Sequence, residues 1–352
     1  MYAVVTGSRA DYYHLVPLLD ELDAALIVTG SHLCPEFGYT VQDIVHPIAA
    51  HVECVLSSDT EYAAAKSAGI AVMRFPDVYR EIKPDMVIVL GDRYEILAAA
   101  LVAYMLGIPV AHIHGGEKTI GSLDDGYRHC ITQLSSLHFV AAEGYRKRVI
   151  QLGAHPDTVH TVGAIGLHRI GQLLPRDELR KMFKLPDKPW CLVSYHACDY
   201  PVSELIEALR ERTDLHYIVS LSGADSGNRA VNMWLKRFCK GVGATMVPSF
   251  GGLYIDIMAS CALVIGNSSS GIIEAPHVQT PTVNVGLRQA GRIKGPSIYN
   301  VPPYTIAEAI DRALTCTEYR DVYYQPDTVK KIIDGLEGYG GKRDFYDVPV
   351  NC

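Results

Sequence analysis

The stretch Met86–Glu117, MVIVLGDRYEILAAALVAYMLGIPVAHIHGGE, decides the fold class. Its opening run, Met86–Leu90, is apolar, rich in Val and Ile, and stops at Gly91. Such a run reads as a strand buried on both faces. An amphipathic stretch follows at Glu95–Leu106, and a second short apolar run lies at Val110–Ile113. Strand, helix and strand in succession make a parallel β-α-β unit. The segment Ile96–Ala111 is the longest apolar one, but it is interrupted by Gly107 and Pro109. It falls short of the ~18 residues of a membrane helix.

The same alternation extends outward. Strands are expected at Tyr2–Thr6, Ala25–Thr29, His138–Val140 and Val159–Val162, and helices at Leu15–Leu22, Pro76–Ile82, Tyr127–Leu134 and Glu143–Leu152. The Gly-rich VGAIG, Val162–Gly166, marks a domain boundary near residue 165. A polar helical pattern covers Leu167–Phe183, and then the alternation restarts. Strands are expected at Cys191–Ser194, Tyr217–Ser220, Leu263–Gly266 and Thr282–Val285, with helices at Ser203–Arg212, Asn228–Cys239, Tyr254–Ser260, Thr305–Leu314 and Thr328–Leu336. The expected division is therefore a domain over 1–165, a second over 166–336, and a tail over 337–352.

The 352 residues suit two domains of ordinary size. Hydrophobic residues make up 48% and charged residues 20%, which supplies two cores and excludes a wholly disordered chain. The net charge is −7 and Lys and Arg form no long run, which argues against a nucleic-acid partner. An anion would have to be held by a few placed Arg, His and backbone N–H groups. The start, MYAVVTGSRADYYHL, lacks the basic opening and cleavage site of a secretory signal. The nine cysteines are scattered and form no C-x-x-C pair, so neither a disulfide framework nor a zinc site is expected. No membrane segment is expected either, and a reducing cytoplasm is the simplest compartment.

Ligands of parallel sheets lie at the carboxyl ends of the strands, so the loops that follow strands carry the chemistry. In TGSRADYYH, Thr6–His14, Arg9 offers a fork and the following helix offers free N–H groups. A capped helix start with a solvated Arg accounts for the same residues. In LGDRYE, Leu90–Glu95, capping alone explains Asp92, while the adjoining Arg93 speaks for a cleft. The richest loop is HIHGGEKTIGSLDDGYRH, His112–His129. Each residue has a plain reading: His112 as a satisfied core histidine, Asp124 or Asp125 as a helix cap. Together, so many ionisable groups point to acid and base work. The H-x-H-x-x-E spacing matches no specific metal motif. In GNSSSGIIEAP, Gly266–Pro276, hydroxyls and N–H groups ahead of a helix suit a phosphate, and Glu274 suits ribose hydroxyls. Arg288 and Arg292 follow in VNVGLRQAGR, ready to neutralise a diphosphate. Neither G-x-G-x-x-G after the first strand nor a phosphate-binding G-x-x-x-x-G-K-[ST] occurs.

In this order, TGSRADYYHL, VLGDRYEILAAAL, HIHGGEKT, YRHCITQLSSLHFV, YRKRVIQLG, GNSSSGIIEAP and VNVGLRQAGR resemble the UDP-N-acetylglucosamine 2-epimerases, specifically the hydrolysing branch. The tail motif RDFYDVP resembles that of bacterial members making N-acetylmannosamine for sialic acid. The resemblance spans nearly the whole chain. It implies an α/β protein of two Rossmann-like domains facing a central cleft, the glycosyltransferase-B-type fold, with UDP held mainly by the second domain. It implies the conversion of UDP-N-acetylglucosamine and water to N-acetylmannosamine and UDP, a homodimer or homotetramer, and no metal or redox cofactor.

Residue by residue, Arg9 matches a diphosphate contact, and His14 stands where Lys or Gly is common. Asp92 matches the carboxylate of the G-D motif, with Arg93 beside it, and Asp124 matches a second acid. His114 occupies the place of the usual third acid, so either His114 or Glu117 takes that role. His196 matches a histidine used on UDP. Ser268, Ser269, Ser270, Gly271 and Glu274 match the phosphate and ribose positions, and Arg288 matches the Arg of the downstream motif. Within the family, a UDP-2,4-diacetamido-trideoxy sugar is an alternative substrate. Outside it stand a non-catalytic UDP-sugar sensor and a glycosyltransferase of the same fold.

Overall fold

The computed structural model describes residues 1–58, 60–169, 171, 173–198, 200–223, 227–247, 250–342 and 344–348. The chain forms two compact units. The first comprises Met1–Glu117, Leu123–Arg169 and Tyr323–Cys352, the second Lys118–Ser122 and Ile170–Val322.

The first unit alternates strand and helix: β1 (Tyr2–Thr6), α1 (Arg9–Leu19), β2 (Ala24–Thr29), β3 (Ile48–Val52), α2 (Glu61–Ile82), β4 (Met86–Leu90), α3 (Tyr94–Met105), β5 (Val110–Ile113), α4 (Asp124–Leu134), β6 (Leu137–Val140), α5 (Glu143–Gln151) and β7 (Val159–Thr161). Its seven strands are parallel in the order β3-β2-β1-β4-β5-β6-β7. The strand order reverses between β1 and β4, so the loops after these two strands diverge and open a crevice. One face of the sheet packs Leu15, Leu18, Ile88 and Phe139, and the other packs Phe75, Tyr79, Ala99 and Ile131.

Local chemistry explains where helices depart from expectation. α1 begins at Arg9, ahead of the expected Leu15, because Ser8 caps it: Ser8 Oγ accepts the Asp11 N–H at 3.3 Å. α2 was expected from Pro76 but starts at Glu61 and runs through the proline. Ala63, Ser67, Ala71, Phe75 and Tyr79 are buried at every fourth position, and their burial outweighs the hydrogen bond that Pro76 cannot donate.

The second unit holds α6 (Arg176–Met182), β8 (Trp190–Ser194), α7 (Val202–Arg210), β9 (His216–Ser220), α8 (Asn228–Val242), β10 (Thr245–Val247), α9 (Tyr254–Ala259), β11 (Leu263–Gly266), α10 (Ser270–Ile273), β12 (Thr282–Val285), β13 (Ile298–Val301) and α11 (Ile306–Leu314). Its six parallel strands follow β10-β9-β8-β11-β12-β13, with the reversal between β8 and β11. The expected helix over Leu167–Phe183 is instead a 3-10 turn at Ile165–Arg169 and the separate α6. β3, β10 and β13 carry no clear sequence signal, being edge strands with partly exposed residues.

The expected domain limits need correction. The last helix, α12 (Thr328–Glu337), belongs to the first unit, not to a second domain over 166–336. Its Val329, Ile332 and Leu336 are buried in the core that holds Phe139 and Ile165, and Thr328 Oγ1 donates to Val162 O at 2.8 Å. The tail from 337 is not separate either, because Phe345 packs on Gly153 and Tyr346 N–H donates to Gly153 O at 2.9 Å. Conversely, Lys118–Ser122 leaves the first unit, and the Ile120 N–H donates to Ala290 O at 2.9 Å.

Candidate active site

Each unit gathers its candidate residues at the carboxyl ends of its own strands. In the first unit, Asp92 and Arg93 follow β4. Asp92 does not cap α3: the cap position is Arg93, and no side chain bonds there. Asp92 pairs instead with Arg128 of α4, which is 1% exposed. Arg128 also donates to Asp125 Oδ1 at 3.0 Å and to Glu117 O at 3.1 Å. Burial opposes the guanidinium charge, but Asp92, Asp125 and Asp124 outweigh it and raise its pKa. One fixed cation thus gathers the carboxylates around it by charge-assisted hydrogen bonds. The cap of α4 is Leu123, so Asp124 and Asp125 occupy its first turn.

His114 follows β5, and its Nδ1 lies 2.7 Å from Glu117 Oε1. The Glu117 side chain is 2% exposed. An ionised Glu117 accepts from Nδ1–H and leaves Nε2 for other partners. The His114 backbone is left-handed, with φ +67°, and its N–H is tied to Phe139 O at 2.9 Å. A non-glycine residue held there marks stored strain of the kind found at functional sites. His112 meets its plain reading: it is fully buried and its Nε2 donates to Gly91 O at 2.8 Å. Burial pushes its pKa down to about 4.

The first loop contributes Arg9 at the start of α1. His14 packs against Gly166, and burial, with His114 nearby, pushes its pKa down to about 4. His14 is therefore neutral near pH 7.

Three residues beyond the expected set complete this half-site. Glu95 is fully buried and accepts from Arg93 Nε at 2.6 Å. It fills the space beneath the loops after β1 and β2, where a Cβ on Gly7 or Gly30 would meet its Oε1 at 2.7 or 2.5 Å. Burial pushes Asp11 up to about 7, and Glu95 and Asp92 add to the shift against Arg93 and Ser8. Arg128 is the third. Its position three and four residues after Asp125 and Asp124 was the available signal, since such spacing puts side chains on one helix face.

In the second unit, His196 follows β8, Ser268–Gly271 and Glu274 follow β11, and Arg288 follows β12. Ser270 Oγ bonds Ser268 Oγ at 3.0 Å and Tyr254 OH at 2.8 Å. α10 spans only Ser270–Ile273, so these hydroxyls, rather than a long helix dipole, define the local polarity. Glu274 ends α10, 4% exposed, and burial pushes its pKa up to about 7. A carboxyl kept near neutrality repels a neighbouring anion less than an ionised one. Gly266 allows β11 to approach Ser194 O, which a Cβ would strike. Asn267, absent from the expected set, bonds both His196 and the Arg288 loop.

Among the described residues, no three of His, Cys, Asp and Glu gather as a metal-ligating group, and no helix is long and apolar enough to cross a membrane.

The sequence model of the family described as UDP-N-acetylglucosamine 2-epimerase matches residues 19–337. The chain belongs to this family. It is 33% identical over 330 residues to the hydrolysing GDP/UDP-N,N'-diacetylbacillosamine 2-epimerase of Campylobacter jejuni, covering 88% of this chain and 86% of that one. It is 35% identical to the polysialic acid biosynthesis protein P7 of Escherichia coli, covering 85% and 81%. The fold matches the crystal structure of UDP-GlcNAc 2-epimerase from Neisseria meningitidis with a TM-score of 0.81 at 16% identity, covering 96% of this chain and 100% of that one. The protein is thus a UDP-sugar 2-epimerase of the α/β, glycosyltransferase-B-like class.

Proposed function

We propose that the protein is a hydrolysing 2-epimerase that converts UDP-N-acetylglucosamine and water to N-acetylmannosamine and UDP. The observation that carries this reading is the cluster of Asp92, Asp125 and Glu117 O on Arg128, joined to the His114–Glu117 pair. A protein that only binds a UDP-sugar has no need of carboxylates gathered around a shared buried cation.

The chemistry sets the requirements. The proton on sugar carbon 2 is not acidic, so a base alone does not remove it. Departure of UDP from carbon 1 builds positive charge next door, and the base then takes the carbon 2 proton to give a glycal. Returning a proton to the opposite face of carbon 2, and adding water at carbon 1, gives the inverted sugar. In this reading Asp92 and Asp124 act at carbon 2, with Glu117 and His114 as the paired third group. Arg9, Arg93, His196, Ser268, Ser269, Ser270, Gly271 and Arg288 hold the leaving nucleotide, and Glu274 takes the ribose.

A second substrate is favoured by named relatives. The Campylobacter jejuni protein, and a Legionella pneumophila protein 34% identical to this chain, are described as 2-epimerases of UDP-N,N'-diacetylbacillosamine. The polysialic acid relative favours the N-acetylmannosamine route. Incubation with each UDP-sugar in heavy water, with NMR of the products, tests the reading. The expected result is a free 2-epimerised sugar carrying deuterium at carbon 2, plus UDP. Product without deuterium at carbon 2 overturns elimination and hydration, and no turnover of either sugar returns the sensor reading.

A further inference from the structure

We propose that Asn267 is a positioning residue for the nucleotide half-site, fixing three of its loops in one register. The proposal rests on the reading that this half-site holds UDP. Asn267 is fully buried directly after β11. Its Oδ1 accepts the His196 N–H at 2.7 Å, and its Nδ2 donates to His196 O at 2.9 Å. The side-chain amide therefore pairs with the backbone of the post-β8 residue as one peptide pairs with another. Only a side chain with both a donor and an acceptor at this length makes both bonds.

The peptide of Asn267 is engaged as well. Its N–H donates to Ser194 O at 3.1 Å. Its carbonyl accepts from Arg288 Nη1 at 3.1 Å and from Gln289 Nε2 at 2.9 Å. One residue thus touches the loop after β8, opens the serine loop after β11, and anchors the guanidinium after β12. Arg288 spends one N–H on this anchor, and the rest of its planar fork stays oriented for an anion. The Nδ2 group also lies 3.3 Å from Cys198 Sγ, which extends the tie along the post-β8 loop.

The arrangement predicts a defect in ligand positioning beyond any loss of stability. Asn267→Asp keeps the size and the acceptor but loses the donor to His196 O. It also places a negative charge beside the proposed diphosphate position. UDP affinity measured by calorimetry well below the melting temperature should fall at least about tenfold, and KM should rise more than kcat falls. Asn267→Ser, which is uncharged and too short for both bonds, should also weaken UDP binding. Gln289→Leu, which removes one bond to the Asn267 carbonyl, should weaken it by about threefold and tests the proposal should the Asn267 variants not fold. Folded variants that bind UDP with wild-type affinity and differ only in melting temperature would overturn the proposal. A wild-type protein that does not bind UDP overturns the nucleotide reading itself, and that failure is seen before any variant is made.

Discussion

The two units share a topology and differ in what holds their strand-end loops. In the first unit the ties run to carboxylates: Arg128 to Asp92 and Asp125, Arg93 to Glu95, His114 to Glu117. In the second they are mainly neutral: Asn267 with His196, Ser270 with Ser268 and Tyr254, Gln289 with Asn267. The contrast follows from the tasks proposed for each half. Moving a proton needs carboxylates and imidazoles with set ionisation, and these need buried counter-charges. Holding a diphosphate needs hydroxyls, N–H groups and an oriented Arg, and it tolerates little negative charge. The one carboxyl among those serines, Glu274, is pushed toward neutrality.

This division of labour is open to attack by substitution. The largest effect is expected for Asp92→Asn, which keeps shape but cannot take a proton. Turnover should fall by about 10²–10⁴-fold while UDP affinity stays within about threefold. A parallel loss of UDP affinity would erase the distinction between the units.

Arg128→Met should be next. It removes a buried cation and leaves the half-buried Asp92 and Asp125 without it, and breaking a fully buried pair costs about 3–5 kcal/mol, the upper bound here. Denaturant unfolding measures this loss, and Arg128→Lys should restore only part of it because Lys lacks the fork.

On the other side, UDP at a hundredfold excess over its dissociation constant should stabilise the wild type by about 2.7 kcal/mol. Arg288→Ala should remove most of that gain in a thermal-shift measurement. An unchanged shift takes Arg288 out of the nucleotide site.

The smallest effect is the pH dependence of stability. Burial lowers His14, His32 and His112 to about 4 and His138 to about 3, against an ordinary value near 6.5. Their contribution is complete above pH ~6.5 and is lost as the unfolded chain takes up protons toward pH 4. Asp11 and Glu274, raised to about 7, run the other way, since the fold takes up their protons first. The histidines lowered by burial, His160 and His216 among them, outnumber the two carboxyls, so the unfolded chain takes up more protons as the pH falls from about 6.5 toward 4.5. Urea unfolding between pH 7 and 4.5 should show falling stability. A flat profile would mean that these histidines titrate normally in the fold.

Much of this molecule is legible in its sequence. Buried parallel strands such as Met86–Leu90 and Leu263–Gly266 announce themselves because both faces are covered, so every residue is apolar or small. The post-strand loops are legible for a related reason: a backbone that leaves a sheet needs Gly and polar residues whether or not it binds anything. The sequence therefore determined the alternation, the strand ends and the residue types offered there. Partnership is another matter, because it depends on residues distant in the chain. Capping would have explained Asp92 in isolation, and only the fold pairs it with Arg128, 36 positions away. The anchoring role of Asn267 depends on residues 71 positions upstream and 21 and 22 downstream. Tertiary packing likewise carries α2 through Pro76 and returns α12 to the first unit. In each case the local signal was weak or pointed elsewhere, and burial against distant residues supplied the free energy that overrode it.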